Sequence, residues 1–230
     1  LLEDAVELDP EFAAAWARLA VVHGRRLVAR DPTYPLSMQE GLTVTHSALD
    51  RARSLNPELG EIYATLGGIA WALEHDPIKA APLIEKALEL EPWNLSFIAF
   101  AANFATYIGR YEEALALEEQ LVARDPLCQT CRYQLARSYQ YTRQFDLMER
   151  ELLTLQSLGG RNILWDLAVA RLYQGSPNDA LELISELDAA ALGAQLLRAM
   201  ALHDLENRQL AAELLADAEE EWGAAAPLSM

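Results

Sequence analysis

The stretch from Asn56 to Pro92, NPELGEIYATLGGIAWALEHDPIKAAPLIEKALELEP, begins and ends on the same kind of step. Asn56-Pro57 and Glu91-Pro92 lie 35 residues apart, and Asp125-Pro126 follows 34 residues later. One more such step, Asp9-Pro10, stands 47 residues before Pro57. Proline stops a helix because it lacks a backbone N–H and its ring clashes with the preceding turn. A recurring period of roughly 34 residues therefore reads as an array of helical units, none able to bury its apolar face alone. Such arrays present binding surfaces more often than buried catalytic pockets.

Composition agrees. Hydrophobic residues make up 52% of the 230 residues, with Ala and Leu dominant and β-branched residues scarce, which favours helix. The net charge of −17 argues against nucleic acid and against an anionic membrane surface, both of which call for surplus Lys and Arg. Basic or neutral protein partners fit better. No uninterrupted apolar run is long enough to span a bilayer, so no membrane insertion is expected. The longest candidate, Trp93 to Gly109, is broken by Asn94, Ser96, Asn103 and Thr106 and reads as a helix packed on both sides.

Aligning the chain on its prolines puts the same residue types at the same offsets. Trp16, Leu19, Ala20 and His23 in the first unit match Tyr63, Leu66 and Gly67 in the second and Ile98, Ala101 and Ala102 in the third. Second-helix positions are filled by Leu49 and Ala52, then Ala80, Ile84 and Ala87, then Ala114. A fourth unit reads Leu135, Ala136, Tyr139, Phe145, Leu152 and Leu155, with Gly159-Gly160 in place of the proline. A fifth (Leu164, Leu167, Ala168, Gly175, Ala180, Ile184) and a sixth (Ala199, Met200, His203, Ala212, Ala216) are progressively weaker.

On these residues the chain resembles the tetratricopeptide repeat (TPR) family over essentially its whole length. The resemblance implies an all-α, right-handed superhelical solenoid of antiparallel helix pairs, about six in number. The expected divisions are 1–10 (second helix of a truncated repeat), 11–59, 60–94, 95–128, 129–160, 161–192, 193–223 and a 224–230 tail. The 47-residue first interval places an insertion near 26–41, where Asp31-Pro32 and Tyr34-Pro35 forbid continuous helix. An extended first helix, an ordered loop and a lengthened second helix are expected there; the loop reads as a tolerated insertion or as a lip on the groove. The start at Leu1 in mid-helix reads as an excised fragment, whose terminal repeats could self-associate.

The run DPLCQTCRYQLARSY (Asp125–Tyr139), the tail from Leu196 onward and the degenerate later repeats also resemble the C-terminal repeat region of certain bacterial regulators. Those carry a winged helix-turn-helix, cyclase or kinase domain upstream. This resemblance implies a sensory or scaffolding role at the bacterial cytoplasm or the periplasmic face of the inner membrane.

Few residues offer chemistry. Cys128 and Cys131 form a C-x-x-C that admits four readings: a zinc half-site, a redox pair, a structural disulfide, or, most simply, two half-buried small residues at a helix start. His23, His46, His75 and His203 lie in unlike contexts, and His23 and His203 fill slots where packing is usual. Gly67-Gly68 reads as small-residue packing and Gly159-Gly160 as a helix stop. No catalytic residue, cofactor or metal ligand set can be named, and no enzymatic activity is expected from these residues.

In the TPR family the first helix of each pair lines the concave face. Carried across, the inward slots are Asn103, Thr106 and Tyr107, then Tyr133, Arg137, Gln140 and Tyr141, then Trp165, Val169, Leu172 and Tyr173. A protein or peptide partner is expected in a groove centred on Asn103, Tyr107, Tyr133, Arg137, Tyr141, Trp165 and Tyr173, where aromatics supply contact area and Arg137 meets a carboxylate. The family's chaperone-tail clamp is not expected, since its Lys slots are unfilled and only Asn103 and Arg137 approach its pattern. The alternative is a dimerising or ligand-sensing regulatory domain attached to an effector.

Overall fold

The computed structural model describes residues 1–188 and 191–225. Among them are thirteen helices and no strand. Residues 1–110 form one compact unit. It holds α1 (Leu2–Leu8), α2 (Ala13–Val28), α3 (Met38–Leu55), α4 (Gly60–Ala72), α5 (Pro77–Leu90) and α6 (Leu95–Tyr107). The second unit holds α7 (Tyr111–Arg124), α8 (Gln129–Tyr141), α9 (Phe145–Ser157), α10 (Leu164–Tyr173), α11 (Pro177–Ser185), α12 (Leu192–Asp204) and α13 (Arg208–Ala225). After the lone α1, α2 packs with α3 and α4 with α5 in the first unit, and α8 with α9, α10 with α11 and α12 with α13 in the second, in line with the all-α solenoid expected. The tail expected at 224–230 begins inside α13, and its residues 226–230 lie outside the described residues.

Two kinds of turn alternate along the chain. Second helices end on the proline step: the N–H groups of Asp9, Asn56, Glu91 and Asp125 close the last helical turn onto Ala5, Ala52, Ala87 and Leu121. The acceptor side chain before each proline then takes the N–H two residues on, as Asp9 does with Glu11 (3.0 Å), Asn56 with Glu58 (3.0 Å) and Asp125 with Leu127 (3.3 Å). Short Asp and Asn side chains reach that N–H, and proline presets the backbone between. Glu91 is one carbon longer and does something else, accepting from Gly60 N–H at the start of α4 (3.0 Å) and from Asn94 (2.9 Å).

First helices end on a left-handed residue: His75, Gly109, Arg143, Gly175 and Glu206 all have positive φ. Each sets the next N–H onto the carbonyl five or six residues back, as in Arg110 to Ala105 (2.8 Å) and Gln144 to Tyr139 (2.8 Å). Where the proline disappears after α9, Gly159 takes over the same left-handed stop, as expected, and Gly160 N–H bonds Leu155 (2.9 Å).

The stretch 26–41 covers the end of α2, a loop over 29–37 and the start of α3. Helices α2 and α3 have 16 and 18 residues against 13 and 14 in α4 and α5. The loop between them is ordered by its own contacts. Arg26 binds Asp31 (2.9 Å) and lies over the Tyr34 ring, while the Tyr34 hydroxyl meets His23 Nδ1 at 2.6 Å. Two hydrogen bonds from Thr33 and the Arg26 guanidinium bring the Asp31 carboxyl down to about 2. Burial, the largest influence on it, pushes the His23 imidazole below its usual value. Ser37 and Glu40 then start α3 with a reciprocal capping box.

Cores follow the repeat positions. In the first unit Ala17, Ala20, Ala48, Leu49, Ala52, Ile62 and Ile69 pack together. In the second, Leu135, Ala136 and Tyr139 of α8 meet Met148, Leu152 and Leu155 of α9 and continue into Leu167 and Ala168 of α10. His203 departs from expectation: it is exposed at the end of α12 rather than packed.

Candidate functional site

Within the first unit the first helices α2, α4 and α6 enclose a groove of about 750 Å³. Its width comes from residues with little or no side chain: Gly24 on α2, and Ala64, Gly68 and Ala72 on α4. The two adjacent glycines of α4 have different jobs. A Cβ on Gly67 would come within 2.9 Å of Ile84 Cγ1, so this glycine permits close packing of α4 on α5. A Cβ on Gly68 would meet nothing nearer than Phe100 Cζ at 3.7 Å, so this glycine keeps the groove open. The shared packing role expected for the pair holds for Gly67 only.

One wall is aromatic. Trp71 packs against Phe100 (5.7 Å between centroids), Phe104 (5.6 Å, edge-on) and Tyr107 (5.4 Å). The other wall carries charge. Arg18 of α2 pairs with Glu61 of α4, whose carboxyl burial pushes above its usual value while Arg18 pulls it back. Arg25, one helical turn past Val21, also lines the groove. At the mouth Asn94 begins α6, with its Oδ1 accepting from Ser96 N–H (3.0 Å) and its Nδ2 donating to Glu91 (2.9 Å).

The residues expected to line a single groove fall in both units. Asn103 and Tyr107 are exposed on α6; Asn103 donates to the Ala99 carbonyl (2.7 Å), and Tyr107 backs Trp71. The Thr106 hydroxyl donates to the Ala102 carbonyl within the same helix. In the second unit Arg137 of α8 donates to the Tyr141 hydroxyl (2.7 Å), and its guanidinium lies 5.7 Å from that ring. Tyr141 in turn stacks on Tyr111 at 4.8 Å. On α10 the exposed Tyr173 stacks on Phe145 at 4.5 Å with Arg143 over both rings. Trp165 is part-exposed against Gly193, where a Cβ would sit 2.5 Å from the indole. Val169 and Leu172 are buried core residues at 5% exposure and leave that set, because α10 packs into the core on nearly all sides.

Sequence reasoning did not see what surrounds Arg137. Glu118 of α7 and Asp166 of α10 are buried at 3% and 8% exposure, and burial pushes both carboxyls above the usual value. Arg137 pulls both back, Ser138 hydrogen-bonds Glu118, and Tyr133 donates to Asp166. Tyr133 and Arg137 thus serve two buried acids as well as the surface. The groove of the first unit was missed too, although a signal existed: Gly68 and Ala72 stand 35 residues before Asn103 and Tyr107. Glycine and alanine at those slots look like packing until the backbone shows which way they face.

Cys128 and Cys131 are joined as a disulfide, with 5.3 Å between their Cα atoms, at the start of α8. The simplest sequence reading, two unlinked small residues, is corrected: the N-cap geometry of α8 brings residues three apart into bonding range. Both remain half-buried. Among the described residues no group of three His, Cys, Asp or Glu is placed to hold a metal ion, and no helix is long and apolar enough to cross a membrane.

No protein-family model and no curated protein matches the sequence. Solved structures do match the fold. YrrB, a TPR protein with an unusual peptide-binding site, superposes with a TM-score of 0.62 at 16% identity, over 93% of this chain and 96% of its own. PilF of Pseudomonas aeruginosa gives 0.62 at 16% identity, over 93% and 97%. MamA from Desulfovibrio magneticus RS-1 gives 0.59 at 19% identity, over 74% and 92%. The chain has the all-α fold of the tetratricopeptide-repeat solenoids.

Proposed function

We propose that this chain is a protein-interaction module that holds a peptide, or the exposed edge of a partner protein, in the groove of α2, α4 and α6. The observation that carries this reading is the groove itself: about 750 Å³, lined by small residues and walled by aromatics. That volume lies within the range of ligand sites, and an open trough between parallel helices suits an extended or helical segment. Trp71 and Phe100 supply large contact area with few rotatable bonds to immobilise. The fold shared with YrrB, which has a peptide-binding site, supports the same reading. As a wider context we propose a larger bacterial regulatory protein, on the resemblance of Asp125–Tyr139 and the later repeats to such regulators. An effector domain encoded in the same gene supports that context, and its absence removes it.

The test of the groove uses peptides selected from a displayed random library on the full chain, then titrated against two variants. Gly68→Leu fills the groove without displacing backbone, and leucine is a better helix former than glycine. Loss of binding in Gly68→Leu supports the reading. Loss in Arg137→Ala alone moves the site to Tyr133, Arg137, Tyr141, Trp165 and Tyr173 on α8 and α10.

A further inference from the structure

The charge in the groove runs against the charge of the chain. Acidic residues outnumber basic ones 35 to 18, yet Arg25 and Arg26 in the last turn of α2 and Arg30 just beyond it fall within six positions. Arg26 is committed to Asp31, and Arg18 to Glu61. Arg25 lines the groove and has no hydrogen-bond or ion-pair partner among the described residues; Glu61 feels it only at longer range. With Arg18 and Glu61 cancelling, Arg25 is the uncompensated charge facing the groove. The same groove is lined by the packed rings of Trp71 and Phe100.

We propose that the groove takes an internal acidic segment of a partner protein, with a large apolar side chain against Trp71 and Phe100 and a side-chain carboxylate on Arg25. The inference rests on the reading of the groove as a peptide site and adds the class of peptide. A guanidinium is weakly hydrated and pairs two N–H groups with one carboxylate, so it recognises an acid beside an apolar surface better than an ammonium would. The donor supply decides between a side-chain carboxylate and a chain terminus. Capture of a terminus uses several converging donors. Here the Asn94 amide is bonded on both sides, and the first N–H groups of α6 are taken: Ser96 by the Asn94 side chain, Phe97 and Ile98 by its carbonyl. The Thr65 hydroxyl donates to the Glu61 carbonyl within α4. The cationic donor left in the lining is the Arg25 guanidinium, which matches one side-chain carboxylate.

Three fluorescein-labelled, C-terminally amidated peptides test this by fluorescence anisotropy on the full chain: Gly-Glu-Phe-Glu-Leu-Glu-Gly and its counterparts with Gln or Lys for every Glu. The Glu peptide should bind about tenfold tighter than the Gln peptide. Arg25→Glu should erase that margin and leave the Gln peptide unchanged, with helical circular dichroism intact. Gly68→Leu should abolish both. Equal binding of Glu and Gln peptides, lost together in Gly68→Leu, overturns the acidic occupant and leaves the groove a peptide site. Binding of a fourth peptide, the Gln sequence with a free C-terminal carboxylate, without binding of the amidated Glu peptide assigns a chain terminus and overturns the side-chain carboxylate. Binding untouched by Gly68→Leu overturns the groove reading as well. Absence of binding by all three peptides overturns the acidic occupant, and the library-selected peptides then decide the groove by themselves.

Discussion

Adjacent residues of the same type can be separated only by what lies beyond their missing side chains. Gly67 and Gly68 are indistinguishable in sequence, and their substitutions should move stability in opposite directions. Gly67→Ala forces a Cβ against Ile84 and should cost roughly 1–2 kcal/mol. Gly68→Ala meets open groove and should gain roughly 0.5–1 kcal/mol from the removed backbone freedom. Denaturant unfolding of the two variants checks both signs. Glu118 yields a second prediction at this scale. Burial raises its folded carboxyl above the unfolded value of 4.5, so the native state binds more protons and ionisation weighs against folding as pH rises. Glu118→Gln should therefore raise the melting temperature at pH 7, and the gain should shrink as pH falls toward and below 4.5. A gain independent of pH would show that the charge is not the cause. Neither buried acid was legible in the sequence, where Glu118 and Asp166 look like ordinary surface charges on amphipathic helices.

Helix boundaries were the most legible part of the chain because local chemistry sets them. The proline steps mark where second helices stop, and the short acceptor before each proline bonds the turn without help from distant residues. Asn56→Ala should cost roughly 0.5–1.5 kcal/mol through the lost bond to Glu58 N–H. The first-helix stops were legible where glycine occupies the left-handed position, at Gly109 and Gly175, and hidden where Arg143 or Glu206 does so. A side chain there is strained by roughly 1–2 kcal/mol, part of which glycine returns to the unfolded chain as entropy. Exposed Glu206→Gly should thus stabilise by about 1 kcal/mol, read as an upward shift in melting temperature. An unchanged or lower melting temperature would mean that Glu206 has a compensating role. The insertion was legible as a length of 47 residues, but not as the Arg26, Asp31, His23 and Tyr34 contacts that order it, since those depend on a fold of the loop that no period encodes.

Across the whole molecule the repeat period gave the fold class, while the position of the groove in the first unit depended on side-chain size at equivalent slots. Aromatic residues at Tyr107, Tyr141 and Tyr173 drew the sequence reading toward the later repeats. In the structure Tyr141 and Tyr173 stack on Tyr111 and Phe145, and Tyr107 backs Trp71. A groove opens in the first unit where the same slots hold Gly68 and Ala72. The chain contains five tryptophans, of which Trp71 walls the groove and Trp165 stands on α10 in the second unit. Their indole N–H signals in one nuclear magnetic resonance spectrum therefore report on the two candidate faces together. Titration with a library-selected peptide should shift the Trp71 indole and the Gly68 amide and leave the Trp165 indole unmoved. Shifts of the Trp165 indole with Trp71 and Gly68 unmoved would contradict it.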